Sequence, residues 1–488
     1  MMGARLAMGE RNAIDELATG GIGRLLLRYS WPALVAMSLN ALYSVVDRFY
    51  IGHGCGEAAM AALTLAMPVM MLFVAFGVFI GVGHSTLLSI RLGAGDRDGC
   101  ERILGELVAM KLLFFLALPP LVFFNLDTVL GWCGGGKVSA EAFSQAKTYL
   151  QLVLFSHLFS HLAFGLSAAM RSEGAVVRSM MCMVVGFGVN LLLDPVLIFG
   201  VPALGIPRLG VAGAAWATNL GMVASCLFAC RYYWSGRSVV RFRLRRVRLY
   251  RDLVGRTLGI GFAPFLQQLL GAAINVSLAA AFAKWAADAA SATVQVASLG
   301  VFQSVMILML MPMLGAQQGL QPILGYNWGA RNYRRVRETL MLGFWVTTAL
   351  CVFACVAQVL PPFPTWLARL FVSADNPGLL KLAAHDLQVS NCMIWCISLN
   401  VVATTYFQAI GHPRTAVVLS TLRQGVCLLP VIWILPHFMA DRALAVWLSL
   451  PVSDVLCCVA TVVPFRLQLR FLSRVRSPRK SVSGRRAS

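Results

Sequence analysis

The sequence predicts an all-α membrane protein that crosses the bilayer many times, and three observations indicate this. The chain has 488 residues, of which 58% are hydrophobic and only 12% are charged, and its mean hydropathy is +0.74. A soluble domain is about 45–50% apolar and about 25% charged. The hydrophobic residues form long runs, and the charges that produce a net +21 lie between them. A soluble domain, a disordered chain and a soluble nucleic-acid-binding protein are therefore excluded.

Twelve hydrophobic runs are long enough to cross a membrane. A helix needs about 20 apolar residues to cross the hydrocarbon core, and only a helix satisfies every backbone polar group within its own segment. We number the runs as spans 1 to 12 in chain order: 25–50, 58–90, 103–126, 147–169, 177–199, 211–234, 253–283, 292–324, 338–360, 380–410, 415–436 and 443–465. Because the number is even, both termini are expected on the same face of the membrane, which we call the terminus side.

The distribution of positive charge predicts the orientation. Of the 41 Lys and Arg residues, 31 fall on the terminus side, seven fall on the opposite face, and three lie within spans. Cytoplasmic loops carry an excess of Lys and Arg. The first residues of the chain are too polar for a secretory signal. We therefore expect both termini to be cytoplasmic.

The two halves of the chain resemble each other. Leu92-Gly93-Ala94 and Trp328-Gly329-Ala330 each follow the second span of their half, 236 residues apart. Because each half has six spans, an even number, the two halves have the same orientation in the membrane. The repeat therefore predicts two parallel six-helix bundles related by a pseudo-two-fold axis. The predicted parts are a cytoplasmic N-terminus (1–24), a first lobe (25–234), a basic cytoplasmic linker (235–252), a second lobe (253–465) and a basic tail (466–488). The arginines around the linker suit an anionic inner leaflet.

Four oxygen-bearing side chains of the first lobe are expected to meet within the membrane. A carboxylate at mid-membrane costs about 2.5–3.5 kcal/mol on insertion scales, so Asp47 and Asp194 each require a reason. Asn190 lies one helical turn before Asp194, on the same face of span 5. From the topology, at about 1.5 Å per residue, Asp47 and Thr218 reach a similar depth in the half of the membrane away from the termini. Such a set could hold a proton or a hard cation such as Na⁺.

Other polar residues within the spans leave alternatives open. Asp454 in span 12 and Arg423 in span 11 could form a structural ion pair or take part in transport. Lys111 is expected to extend its amine to the membrane surface. His157 and His161 have the spacing of a metal-binding pair, but nothing nearby completes a ligand set, so core histidines are favoured and no metal site is predicted.

Several motifs together resemble one transporter family. Pro32 and Asp47 are fifteen residues apart in span 1, and Asn190-Leu-Leu-Leu-Asp194-Pro195 is followed by the stretch from Gly210 to Thr218. Similar motifs run from Gln321 to Ala330 and from Trp447 to Asp454. Over nearly the whole chain these motifs resemble the multidrug and toxic compound extrusion (MATE) transporters of the multidrug/oligosaccharidyl-lipid/polysaccharide flippase superfamily.

The resemblance implies a fold, a function and a site. It implies a multidrug antiporter of the bacterial inner membrane that exports amphipathic, often cationic organic compounds in exchange for Na⁺ or H⁺ by alternating access. It implies neither enzymatic activity nor a cofactor beyond the coupling ion, and a monomer is expected. Asp47, Asn190, Asp194 and Thr218 match the family's cation site. Some members have an acidic residue in span 7, where this chain has Gln267 and Gln268; with Arg423 and Asp454 these are candidate polar sites of the second lobe.

Four alternatives share some of these sequence features. An exporter of an endogenous metabolite, or a flippase for a lipid-linked saccharide, would share the bundle plan, although such flippases often have fourteen spans and a strongly cationic cleft. The loop Gly95-Asp96-Arg97-Asp98-Gly99 superficially resembles one in major facilitator transporters, but nothing in the second half supports that family. A membrane-embedded transferase or protease would need a nucleophile or an acid/base pair at one membrane face, and the sequence offers none.

Overall fold

The computed structural model describes residues 16–135, 138–202, 205–286, 288–372 and 376–474. Throughout these ranges the regular secondary structure is helical, apart from one isolated bridge between Val201 and Ile206. Eleven helical segments in this part of the chain are long and apolar enough to cross a membrane. The remaining predicted span, span 1, is the first part of the helix Ile22–Gly93. The all-α, two-bundle fold predicted from the sequence is confirmed.

The first lobe contains spans 1 to 6. Spans 1 and 2 form one continuous helix, Ile22–Gly93, in which Gly56 adopts φ +80° and ψ −170° and so separates the two spans. Glycine tolerates this backbone conformation because it has no Cβ. The other helices of the lobe are span 3 (Arg97–Phe124), a short helix (Leu126–Trp132), span 4 (Ala140–Ser172), span 5 (Val176–Phe199) and span 6 (Val211–Trp234).

The second lobe contains spans 7 to 12 and more interruptions. The helices are span 7 (Arg251–Trp285), span 8 (Ala289–Gly329), span 9 (Tyr333–Val359), a short helix (Phe363–Arg369), the two parts of span 10 (Pro377–Asn391 and Ile397–Ala409), the parts of span 11 (Pro413–Thr421 and Leu429–Ile434) and span 12 (Arg442–Arg474). Between the two α-helical parts of span 11, residues Leu422–Leu428 form a π-helix. The wider π-turn is rare, and it is frequently found at functional sites.

Polar caps start several spans just after the loops. A capping side chain accepts a hydrogen bond from a backbone N–H that the helix itself leaves without an acceptor. The caps are Asp96 for span 3, Ser139 for span 4, Asp288 for span 8, Asn332 for span 9 and Asn376 for span 10. These five hydrophobic runs therefore become helices with a defined start at the membrane surface.

Each lobe has its own hydrophobic core on the side away from the termini. One buried cluster there, which includes Ile51, Phe73 and Leu150, contains only residues of the first lobe. The corresponding cluster of the second lobe, which includes Phe282 and Trp447, contains only residues of that lobe. The clusters on the terminus side are mixed: Leu253 of span 7 packs in the first lobe's core, and Leu26 of span 1 packs in the second lobe's core. The lobes therefore meet on the terminus side.

Two glycines at equivalent positions of the two halves allow a close backbone contact between the lobes. A methyl group added to Gly93, at the end of span 2, would overlap the carbonyl oxygen of Tyr326 in span 8. A methyl group added to Gly329 would overlap the carbonyl oxygen of Ile90 in the same way. Ile90 and Tyr326 are themselves 236 residues apart, the offset of the internal repeat. The contact is therefore reciprocal, as expected for two halves related by a pseudo-two-fold axis.

Aromatic side chains extend this contact toward the middle of the membrane. Phe76 and Phe79 of span 2 each lie with their ring centroid 5.0 Å from that of Phe265 in span 7. Closer to the termini, Gln321 of span 8 donates a hydrogen bond to the Thr86 hydroxyl (2.6 Å). The terminus-side half of the cleft between the lobes is therefore closed by packed rings and backbone contacts.

The linker between the lobes is fixed to the first lobe by Glu173, which lies between spans 4 and 5. The Glu173 carboxylate is buried and accepts hydrogen bonds from the Ser238 hydroxyl (2.5 Å), the Val239 N–H (3.1 Å) and the Tyr233 hydroxyl (3.1 Å). Two ion pairs join span 3 to the linker, Glu101–Arg243 and Asp98–Arg246. We therefore expect the linker to move with the first lobe.

The Glu173 contact predicts a pH dependence of stability. Burial raises the pKa of Glu173 from 4.5 to about 7, although the hydrogen bonds that the carboxylate accepts lower it. The folded protein thus holds a proton that the unfolded chain has released between pH about 4.5 and pH about 7. Stability is expected to fall by up to roughly 3 kcal/mol as the pH rises through this window.

In Glu173→Gln, this part of the pH dependence should disappear. The measurement is thermal unfolding of the purified protein between pH 5 and pH 8, with Glu101→Gln as the control. An identical pH profile for the wild type and Glu173→Gln would contradict the prediction.

Candidate cation site

Span 5 places an amide and a carboxylate on one buried face. Asn190 and Asp194 are four residues apart, so both side chains project from the same side of the helix. Asn190 is 3% exposed and Asp194 is 0% exposed. The Asn190 amide nitrogen donates to Oδ1 of Asp194 (3.3 Å) and to Oγ1 of Thr218 in span 6 (3.4 Å). Three of the four predicted site residues therefore form one hydrogen-bonded group.

Two oxygens of this group have no hydrogen-bond partner in the structure. They are Oδ1 of Asn190 and Oδ2 of Asp194, and both are buried. Buried polar atoms without a partner are rare because each costs about 1–3 kcal/mol or more. These two buried oxygens can each donate a lone pair. They therefore indicate that the site can bind a proton or a metal cation.

Asp47 of span 1 completes the predicted set. It is half-buried, and it lies close enough to Asp194 for the two carboxylates to interact electrostatically. Two neighbouring carboxylates repel each other when both are ionised. A bound cation or proton removes this repulsion. The structure therefore brings together Asp47, Asn190, Asp194 and Thr218.

Two tyrosines that sequence reasoning missed lie at the same site. Tyr43 in span 1 and Tyr149 in span 4 lie beside Thr218, and both tyrosines interact electrostatically with Asp47 and Asp194. Tyr43 also stacks on Phe187, with ring centroids 5.3 Å apart. The spacing of Tyr43 and Asp47, four residues apart on one helix, was a signal that could have identified Tyr43.

The second lobe has a different polar centre, built around the π-helix of span 11. Arg423 in this π-helix donates from Nε to Oδ1 of Asp454 in span 12 (2.8 Å). The Asp454 side chain is 3% exposed and that of Arg423 is 22% exposed. The carboxylate of the second lobe is therefore neutralised by a cation that belongs to the protein itself.

The other two candidates of the second lobe do not join this pair. Gln267 and Gln268 lie on span 7 with exposed side chains. Within the described ranges, neither makes a hydrogen bond to Arg423 or Asp454. Of the four candidates, the structure therefore brings together only the ion pair.

Breaking the Arg423–Asp454 pair should destabilise the second lobe. We expect Asp454→Leu to lower the free energy of unfolding by roughly 3 kcal/mol, because it leaves a buried guanidinium without its counter-charge. The double variant Arg423→Met/Asp454→Leu should recover most of this loss, since no charge is then left unpaired. Chemical unfolding of the purified proteins measures both effects. A double variant no more stable than Asp454→Leu would show that packing, not charge, accounts for the loss.

The structure corrects one prediction and supports another. Lys111 does not extend to the membrane surface: it is fully buried, and its amine donates to the carbonyl oxygen of Gly77 (2.8 Å). Gly77 has no side chain, so the amine can reach its carbonyl oxygen within the lobe. His157 and His161 are core residues, as favoured from the sequence. His157 stacks on Phe73 with ring centroids 4.3 Å apart. Across the described residues, no group of three His, Cys, Asp or Glu could hold a metal ion.

Two further buried acids lie within helices where the sequence had not suggested them. Glu106 in span 3 is fully buried, and neither of its carboxylate oxygens has a hydrogen-bond partner in the structure. Asp386 in span 10 accepts a hydrogen bond from the Ser298 hydroxyl (2.5 Å). Both residues lie near the ends of their hydrophobic runs, where a simple hydropathy reading places the membrane boundary rather than the interior.

A two-lobed bundle of this kind, with a buried carboxylate site in one lobe and contacts between the lobes at one membrane face, defines a multi-span membrane transporter. The MatE family model matches residues 32–196 and 266–434, one match in each lobe. This protein belongs to the MatE family, the multidrug and toxic compound extrusion transporters.

Relatives with assigned functions match nearly the whole chain. The multidrug export protein MepA of Staphylococcus aureus (strain MRSA252) is 25% identical over 451 residues, covering 90% of this chain and 92% of MepA. MepA of Staphylococcus haemolyticus (strain JCSC1435) is 24% identical and covers 92% of this chain and 94% of that protein.

Solved structures share the fold. A structure of the outward-facing conformation of a multidrug resistance MATE family transporter superposes with a TM-score of 0.85 at 22% identity, covering 94% of this chain and 98% of that one. A transporter from Pyrococcus furiosus, described as having reverse polarity of its binding pocket, superposes with a TM-score of 0.84 at 22% identity, with the same coverage.

Proposed function

We propose that this protein is a multidrug antiporter that exports amphipathic, often cationic organic compounds in exchange for Na⁺ or H⁺ by alternating access. The observation that carries this proposal is the pair of buried, unpartnered oxygens on Asn190 and Asp194, next to the carboxylate of Asp47. The MepA relatives are multidrug export proteins, which supports the substrate class. The chain would act as a monomer, without enzymatic activity and without a cofactor other than the coupling ion.

The proposed location is the bacterial inner membrane, with both termini in the cytoplasm. The excess of Lys and Arg on the terminus side supports this orientation. The lobes meet on that side, so the present conformation would be closed to the cytoplasm and would face outward. The likeness to an outward-facing MATE structure is consistent with this assignment.

The proposed cycle uses the coupling ion to return the protein to the cytoplasm-facing state. In the outward-facing state, Na⁺ or H⁺ binds among Asp47, Asn190 and Asp194 and favours release of the substrate. A ligand shifts such an equilibrium only by its preference for one state, and neutralising two carboxylates that repel each other supplies such a preference. Each positive charge moved inward gains about 2.3 kcal/mol per 100 mV.

The test is efflux from energised vesicles that contain the purified protein. A panel of cationic dyes and drugs is loaded, and a Na⁺ gradient or a pH gradient is imposed separately. We expect one of the two gradients to drive efflux of several compounds. Absence of gradient-driven efflux across the panel would contradict the proposal.

Export of a lipid-linked saccharide is less well supported by the polar residues. A strongly cationic cleft suits an anionic lipid-linked substrate, but Lys111 and Arg423, the two deep cations whose side chains the structure describes, are each engaged within a lobe. Lys111 donates to a backbone carbonyl, and Arg423 is paired with Asp454. We therefore expect no transfer of a lipid-linked sugar across a proteoliposome membrane.

A further inference from the structure

A cavity lies between the linker and the start of span 3, on the terminus side. It has a volume of about 320 Å³, near the lower end of the range for small-ligand sites. The residues that line it are Leu92, Arg97, Glu101, Val239, Val240, Arg241 and Arg243. The candidate cation site contributes no side chain to it.

The charge of the cavity is positive. Its single carboxylate, Glu101, is paired with Arg243 at 3.2 Å, and the Glu101 side chain is only 12% exposed. Arg97 and Arg241 are exposed, and in the described part of the chain neither forms an ion pair with a carboxylate. The lining therefore has two positive charges that no protein group balances. A divalent anion would balance both charges, and a monovalent anion would balance one of them.

The arginines are held in place on both walls. Arg97 is the first residue of the span 3 helix, which Asp96 caps. Arg241 follows directly after the linker residues that hydrogen-bond around Glu173: Ser238 donates to the Val240 carbonyl (2.7 Å) and to the Glu173 carboxylate. A fixed backbone lowers the entropy cost of gathering guanidinium groups around one ligand. Guanidinium groups match the geometry of phosphate oxygens, which accept paired hydrogen bonds.

The cavity lies at the depth in the membrane where lipid headgroups are expected. Leu92 and Arg97 lie at the end of span 2 and the start of span 3, which is the level of lipid headgroups for a helix pair that crosses the bilayer. Leu92, Val239 and Val240 give the cavity an apolar wall, which suits the glycerol part of a lipid better than bulk water. An anionic leaflet attracts arginines at this depth.

We propose that this cavity binds a phosphate group and that bound phosphate joins the linker to span 3. The group can come from an anionic phospholipid of the adjoining leaflet or from a soluble phosphate, since both offer the same oxygens to Arg97 and Arg241. This binding does not depend on the transport function, because it involves none of the candidate cation-site residues.

The test compares two double variants of the full-length protein. Arg97→Gln/Arg241→Gln removes the two unbalanced charges of the cavity. Arg337→Gln/Arg414→Gln removes two exposed arginines from the same face of the second lobe and leaves the same net charge. Native mass spectrometry measures retention of phosphatidylglycerol by each protein, and thermal unfolding is measured in nanodiscs of phosphatidylcholine with and without phosphatidylglycerol. In detergent without lipid, inorganic phosphate is titrated while unfolding is followed.

We expect affinity for phosphatidylglycerol to fall roughly 30-fold in the cavity variant and to change little in the control variant. Stabilisation by phosphatidylglycerol alone would assign the site to a lipid headgroup. Stabilisation by millimolar inorganic phosphate, lost in the cavity variant, would assign it to soluble phosphate. An equal loss in both double variants would overturn the proposal, because diffuse surface charge would then explain the binding. Absence of any effect of either ligand on the wild type would also overturn it.

Discussion

Replacement of Asp194 by Asn is expected to abolish ion-driven efflux while the protein still inserts and folds. The amide has nearly the size of the carboxylate and can still accept the hydrogen bond from Asn190. It cannot take up a proton near neutral pH, and it offers no negative charge to a cation. With Asp47 left as the single carboxylate, the electrostatic preference that couples the ion to the conformational change is lost.

The matched control for this variant is Asp386→Asn. Asp386 is also a buried aspartate within a span, but it lies in the second lobe, where it accepts a hydrogen bond from Ser298. We expect Asp386→Asn to retain efflux and Asp194→Asn to lose at least about 90% of it, since one charge of the pair is removed. Efflux is measured in proteoliposomes at equal protein content. Undiminished efflux by Asp194→Asn would show that the coupling ion binds elsewhere.

A direct measurement of ion binding separates the two roles that Asp194 could have. Stabilisation of the purified wild type by Na⁺, or by a lower pH, is followed by thermal unfolding. We expect the response to Na⁺, or the part of the pH response that remains in a Glu173→Gln background, to be absent in Asp194→Asn and present in Asp386→Asn. A variant that still responds to the ion but does not transport would assign Asp194 to the conformational change and not to ion binding.

Gly329→Ala is expected to prevent the lobes from closing on the terminus side. Its methyl group would meet the backbone of Ile90 and Ala94, and backbone atoms cannot turn away as a side chain can. Overpacking of this kind costs about 1–3 kcal/mol, which would shift the equilibrium away from the closed state roughly ten- to hundred-fold. Transport should fall by a similar factor, because the cycle requires the closed state.

Hydrogen–deuterium exchange distinguishes failure to close from failure to fold. In Gly329→Ala, we expect faster exchange in residues 86–95 and 323–332, and unchanged exchange in the far-side cores. Gly93→Ala should behave in the same way, because the contact is reciprocal. Gly255→Ala is the control, since a methyl group at Gly255 meets nothing within 4 Å. Full transport by Gly329→Ala would mean that the lobes approach less closely during the cycle than they do here.

The sequence predicted those parts of the protein that depend on local pattern. The spans follow from run length, and the grouping of Asn190 with Asp194 follows from their spacing on one helix. Thr218 was grouped with Asn190 and Asp194 because the topology places it at a similar depth in the membrane. Tyr43 and Tyr149 were missed because a tyrosine within a span is compatible with a core, an interface or a site, and only the neighbouring helices decide which.

Other features depend on contacts between distant segments. Lys111 was expected at the membrane surface because the prediction considered the length of its side chain and not the backbone of span 2, where Gly77 leaves a carbonyl within reach. The contact between Glu173 and the linker joins residues more than sixty positions apart. The π-helix of span 11 has no local signature in the sequence.

The pairing of Arg423 with Asp454 has a consequence for the electrical behaviour of the transporter. A carboxylate and a guanidinium that travel together carry no net charge through the membrane field, so the second lobe contributes little displacement current when the lobes rearrange. Asp194 forms no ion pair within the described part of the chain, and in the proposed site its charge is neutralised when an ion binds. We therefore expect the membrane voltage to act on the cycle through the first lobe, so that pre-steady-state currents would vanish in Asp194→Asn and persist when Arg423 and Asp454 are replaced together.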